Sequence, residues 1–104
     1  MNAFADENSL SMRSTVAAAK GQISTRLADE IVILDLKSGI YYGLDEVGVR
    51  IWELLQTPQL IGEIRDTIAT EYDVEPTVCE RELLRLLQDL AAKKLIEVKA
   101  ETEK

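Results

Sequence analysis

The chain has 104 residues, with 12 basic and 19 acidic side chains and a net charge of −7, so one domain with one core is expected and electrostatic capture of a polyanion is disfavoured. It contains no histidine and a single cysteine, Cys79, which removes His-based acid–base chemistry, an intramolecular disulfide and any Cys-x-x-Cys metal or redox motif. No apolar run approaches the roughly 20 residues of a membrane span, and the first ten residues lack a basic-then-apolar signal pattern, so a cytoplasmic protein without a membrane partner is expected.

Residues 1–14 are small, polar and aperiodic and read as a flexible tail. The next stretch reads two ways: Val16-Ala17-Ala18-Ala19 suits a helix start, whereas Gly21 and the alternation Ile23, Thr25, Leu27 predict a strand over 22–27. Glu30 to Leu36 is the densest β-branched run, and branched side chains pack better on a pleated surface than in a helix. Lys37-Ser38-Gly39 supplies a turn, after which 40–44 returns as a third strand. Two successive hairpins make an antiparallel meander, with the third strand at its edge.

Helical spacing follows. Asp45 is the expected N-cap of a first helix whose stripe is Val47, Ile51, Leu54 and Leu55 with Trp52 beside it, stopped by Thr57-Pro58. Ile61, Ile64, Ile68 and Tyr72 mark a second. Thr77-x-x-Glu80 reads as a capping box for a third, with Cys79, Leu83, Leu86, Leu87 and Leu90 on its apolar face and Lys93 and Lys94 at its cation-favouring end. Residues 95–98 suit a short closing strand, and 99–104 form a charged tail, leaving 15–98 as the domain.

The fold class is therefore α+β: a winged helix-turn-helix-like chain in which a three-stranded antiparallel sheet precedes three helices (β-β-β-α-α-α). That order raises a DNA-binding regulator as one reading, but Arg81 and Arg85 sit among Glu80, Glu82 and Asp89, so the third helix is not a basic surface. The carboxylate pairs fall at turns, caps and solvated faces, Cys79 lies on an apolar stripe, and no glycine spacing fits a phosphate loop, so neither catalysis nor a cofactor is expected. The informative segment is the third strand, Ile40-Tyr41-Tyr42-Gly43-Leu44, which lacks the proline or charge that usually blunts a sheet edge. Either the chain covers that edge itself, through its N-terminal segment or a second copy, or the edge is kept for a partner strand.

The segment Asp29-Glu30-Ile31-Val32-Ile33-Leu34-Asp35, followed by Gly39-x-Tyr41-Tyr42-x-Leu44-Asp45-x-x-Gly48-x-x-Ile51-Trp52-Glu53-Leu54-Leu55, resembles the PqqD-like family. Ile64, Tyr72, Val78, Leu86-Leu87-x-x-Leu90 and Leu95-Ile96 extend the resemblance over about residues 22–98. Two departures are Lys94, where the family often has glycine, and Asp45, where asparagine is common.

The resemblance implies a non-catalytic domain that binds the leader segment of a ribosomally made precursor peptide as an added strand and presents it to a processing enzyme. It is most similar to the stand-alone leader-binding subunit of split lasso-peptide proteases, with a leader peptidase or other maturation enzyme as second partner. The alternative within the family is the peptide chaperone that serves a radical-SAM enzyme in pyrroloquinoline quinone synthesis. Carried onto this chain, the resemblance puts the backbones of Ile40, Tyr41, Tyr42 and Gly43 against the leader, with Ile40 and Tyr42 facing a groove walled by the third helix. On that helix Glu82, Leu86 and Asp89 form one flank of the apolar stripe and Arg81, Leu84 and Arg85 the other; an acidic residue at the position of Glu82 is common in the family and favours the first.

Overall fold

The computed structural model describes residues 10–27, 30–39 and 41–99. Its elements are β1 (Thr15–Ala18), β2 (Gln22–Leu27), β3 (Glu30–Asp35), β4 (Tyr41–Leu44), α1 (Glu46–Leu54), β5 (Gln59–Leu60), α2 (Ile61–Tyr72), α3 (Pro76–Ala92) and β6 (Ile96–Lys99). The α+β class, the meander and the three helices are as the sequence predicts. The single sheet is not: a second three-stranded sheet, ordered β5-β1-β6, stands beside the meander β2-β3-β4.

Residues 15–18 explain the difference. Their alanines allow a helix by propensity, but tertiary pairing decides. Thr15 to Ala18 run antiparallel to β6, from Thr15 opposite Lys99 to Ala18 opposite Ile96, while Thr15 and Val16 also face Leu60 and Gln59 of β5. Val16 is fully buried, and the Ala18 and Ala19 N–H groups donate to the carbonyls of Leu55 and Leu95 at 2.8 and 2.9 Å. Gly21, at φ 86°, then turns the chain into the meander. The expected tail over 1–14 does not hold for residues 10–14. Residues 1–9 lie outside the described residues, but Leu10 and Ser14 are buried and the Gly62 N–H donates to the Met12 carbonyl at 2.9 Å. Residues 100–104 are likewise outside the described residues.

The inner face of the meander carries Ile31, Ile33 and Leu44, all buried, and α1 packs against β3 and β4. Ile51, Trp52 and Leu55 of the first helical segment, Ile61, Ile64 and Ile68 of α2, and Leu83, Leu87 and Leu90 of α3 complete one continuous core. Asp45 caps α1 as expected, its carboxylate accepting from the Gly48 N–H at 3.0 Å.

The capping box predicted at Thr77 does not form. Pro76 fills the first helical position, where its fixed φ and missing N–H are harmless, and so α3 starts two residues earlier, with Glu75 rather than Thr77 at the cap. The Thr77 hydroxyl donates to Glu75, and Glu80 accepts instead from Arg65 of α2 at 3.4 Å.

The other end of α3 closes with paired bonds: Lys94 N–H to Ala91 carbonyl at 3.0 Å and Leu95 N–H to Leu90 carbonyl at 2.9 Å. That pattern requires a left-handed residue just past the helix, and Lys94 occupies it at φ 63°. A side chain there is strained where glycine is not. Replacing Lys94 with Gly should raise unfolding stability by about 0.5–1 kcal/mol, read as a higher urea midpoint at unchanged slope.

Candidate functional site

β4 is the last strand of its sheet, and among the described residues no strand pairs with its outer edge. The direction of each main-chain group follows from one bond beyond the strands. The Leu36 N–H donates to the Gly21 carbonyl at 3.2 Å, so Leu36 turns toward β2. Residues alternate along an antiparallel strand, hence Leu34 and Val32 also turn toward β2 while Ile31, Ile33 and Asp35 turn toward β4. The Gly39 N–H to Asp35 carbonyl bond at 2.8 Å agrees. Tyr42 and Leu44 lie opposite Ile33 and Ile31 and direct their N–H and C=O inward to β3. Tyr41 and Gly43 are left with theirs facing out.

Side chains alternate the other way. Tyr42 and Leu44 point to the core face, whereas Tyr41 is 69% exposed on the outer face, in a row with Leu34 and Ile23. A Cβ placed on Gly43 would meet nothing within 4 Å, so the surface beside the free edge is open.

Between β4 and α3 runs a groove of about 500 Å³. Its apolar lining includes Leu44, Val47, Ile51, Val78, Leu83 and Leu86, and the two charged residues that line it, Asp45 and Glu82, are both acidic. Gly48 lets the first turn of α1 close onto Leu44, since a Cβ there would lie 3.1 Å from the leucine Cδ2. Cys79 also reaches the groove, but it is buried, its thiol donates to the Arg65 carbonyl at 3.7 Å, and burial pushes its pKa up. A thiol so placed is a poor nucleophile.

At the end of the groove toward the C-terminus of α3, Tyr42 spans from strand to helix. Its hydroxyl donates to Asp89 Oδ2 at 2.6 Å, and the other carboxylate oxygen of Asp89 accepts from Lys93 Nζ at 2.8 Å. The Lys93 ammonium lies 5.5 Å from the centroid of the Tyr42 ring. Lys93 first, then Tyr42, holds the Asp89 carboxyl below the usual carboxylate range. Burial, and next the bond to Asp89, pushes the Tyr42 phenol up to about 12.

The structure thus brings Tyr42, Gly43, Glu82 and Leu86 to one groove and ties Asp89 to Tyr42. It does not bring the Tyr41 side chain there, and Ile40 lies outside the described residues. Arg81, Leu84 and Arg85 do not line the groove. Sequence reasoning missed Val47, Val74 and Val78. Val47 shares the spacing of the core stripe of α1 yet is 36% exposed and faces the groove; Val78 was legible, since Val78, Glu82 and Leu86 fall at four-residue steps on α3. Among the described residues no cluster of three or more His, Cys, Asp or Glu side chains is placed to hold a metal, and no helix is long and apolar enough to cross a membrane.

An open strand edge beside an apolar groove is the framework of a strand-adding peptide-recognition domain. The family model described as Coenzyme PQQ synthesis protein D (PqqD) matches residues 30–96, and the chain belongs to that family. Among solved structures it is similar to TbiB1 in complex with the TbiA(beta) leader peptide, at 42% identity over 81% of this chain and 98% of that one, with a TM-score of 0.74. It is also similar in fold to the PqqD truncation of Methylobacterium extorquens PqqCD, described as a functional, stand-alone recognition element for ribosomally synthesised and post-translationally modified peptides. There identity is 20%, coverage 88% and 97%, and the TM-score 0.73. The tRNA-dependent lantibiotic dehydratase MibB from Microbispora sp. 107891 contains the fold in 8% of its chain, at 22% identity over 84% of this one and a TM-score of 0.56. No curated protein sequence matched.

Alkaline titration tests the geometry at Tyr42. Because its folded-state pKa lies above the ordinary value of 10.0, the hydroxyl's contribution to stability is complete below about 10 and is lost as pH rises toward about 12. Phenolate absorbance should show a late titration step that is absent from Tyr42→Phe and moves down in Asp89→Asn.

Proposed function

We propose that this protein is a non-catalytic recognition element that binds the leader segment of a ribosomally synthesised precursor peptide. The leader adds to β4 as an antiparallel strand and is presented to a maturation enzyme of the leader-peptidase type. The observation that carries this reading is the pair of outward-facing main-chain groups at Tyr41 and Gly43 beside the apolar groove of about 500 Å³. An incoming strand would satisfy those donors and acceptors, while alternate side chains enter the groove against Leu44, Val78 and Leu86. Each large apolar side chain buried there contributes roughly 1.5–3 kcal/mol before the cost of ordering the peptide. The acidic rim of Asp45 and Glu82, with the net charge of −7, suits a leader carrying basic residues. A relative that shares 42% identity has been solved with a leader peptide bound, which supports the same class of ligand here.

The match to the family model for PqqD favours a second reading, a chaperone that hands its peptide to a radical-SAM enzyme of pyrroloquinoline quinone synthesis. Both readings use the same edge and differ in the enzyme served. The test common to both is titration of the labelled protein with the TbiA(beta) leader peptide, following amide shifts. Tyr41 and Gly43 should move most, and unmoved β4 amides would reject strand addition. Gly43→Pro removes an outward donor without touching the β3 ladder, so it should weaken binding by about tenfold or more while leaving the circular dichroism spectrum unchanged.

A further inference from the structure

The α3 residues that line the groove are Val78, Cys79, Glu82, Leu83 and Leu86, and the lining stops one turn before Asp89. At that point the gap between strand and helix is crossed by the Tyr42 side chain, bonded to Asp89 at 2.6 Å, with Lys93 at 2.8 Å from the same carboxylate and 5.5 Å from the ring. A hydroxyl–carboxylate bond of this length is charge-assisted and strong, and the ammonium over the ring holds the phenol from a second side. Tyr42 is therefore a crossbar, fixed at its far end to the helix. Asp89 reaches the groove only through it.

Resting on the strand-addition reading, we propose that Tyr42, Asp89 and Lys93 form a latch that closes one end of the groove and sets the register of the bound peptide. The geometry of an added strand makes the latch consequential. Tyr42 directs its own N–H and C=O to β3, so the peptide residue opposite it falls at a non-hydrogen-bonded position, where facing strands come closest and side chains crowd. With the phenol pinned, a large side chain at that position meets the ring. Two residues along, opposite Leu44, the space opens toward Val47, Val78 and Leu86. The peptide's bulky apolar residue is thereby directed opposite Leu44. Tyr42 and Asp89 are positioning residues, with Asp89 acting through the tyrosine rather than on the peptide.

The test is a double-mutant cycle read by calorimetry with the TbiA(beta) leader peptide, alongside an alanine scan of that peptide. Tyr42→Phe keeps the ring and Asp89→Asn keeps the shape, so both should fold; Lys93→Met loosens the latch from its third member. Each of the first two should lower affinity by about 3- to 10-fold, and the double variant should lose no more than either alone. In the latch variants the alanine-scan profile should spread to the peptide position two residues away, a change that general destabilisation would not produce. Additive losses would mean that Asp89 contacts the peptide itself and would overturn the latch. So would an unchanged affinity and scan profile in all three variants. Failure of the wild-type protein to bind the peptide, or binding without shifts at Tyr41 and Gly43, would instead overturn strand addition.

Discussion

Each residue of an antiparallel strand can offer its main-chain groups to one neighbour only, and that restriction governs this molecule. β3 sits between β2 and β4, so its residues divide their hydrogen bonds between the two. β4 has β3 on one side and, among the described residues, no strand on the other. Tyr42 and Leu44 are satisfied internally, and Tyr41 and Gly43 face solvent. Exposed polar backbone costs little in water but is expensive once covered without a partner, so an occupant of this edge must bring its own donors and acceptors. Another extended backbone supplies them at the right spacing.

Among the described residues, the second sheet takes up the chain that precedes the meander. The N-terminal segment was one candidate to cover β4; of its described residues, Thr15–Ala18 pair instead with β5 and β6. Leu10, Met12 and Val16 pack into the core there, and the segment from Met12 to Ser14 runs along the start of α2.

Much of this was legible in the residues. The meander followed from β-branched alternation and the Lys37-Ser38-Gly39 turn, and the helices followed from stripes such as Ile61, Ile64 and Ile68 and from the Asp45 cap. β1 was not legible, because Thr15–Ala18 carries weak local preference and takes its conformation from partners more than 40 residues away. The Thr77 capping box misled because Pro76 offered a helix start two residues earlier, which freed Glu80 to meet Arg65. At the groove, Glu82 and Leu86 could be placed on one helical flank by spacing alone. The link from Tyr42 to Asp89 could not, since it joins two elements whose relative approach depends on how α2 and the core hold α3.

The pairing of Thr15 with Lys99 has a bearing on how such a unit can be used. Lys99, the last described residue, leaves from a sheet separate from the one that holds β4. A chain continued beyond Lys99 would start from that other sheet, so the body can be tethered there in the manner of a cassette without running along β4.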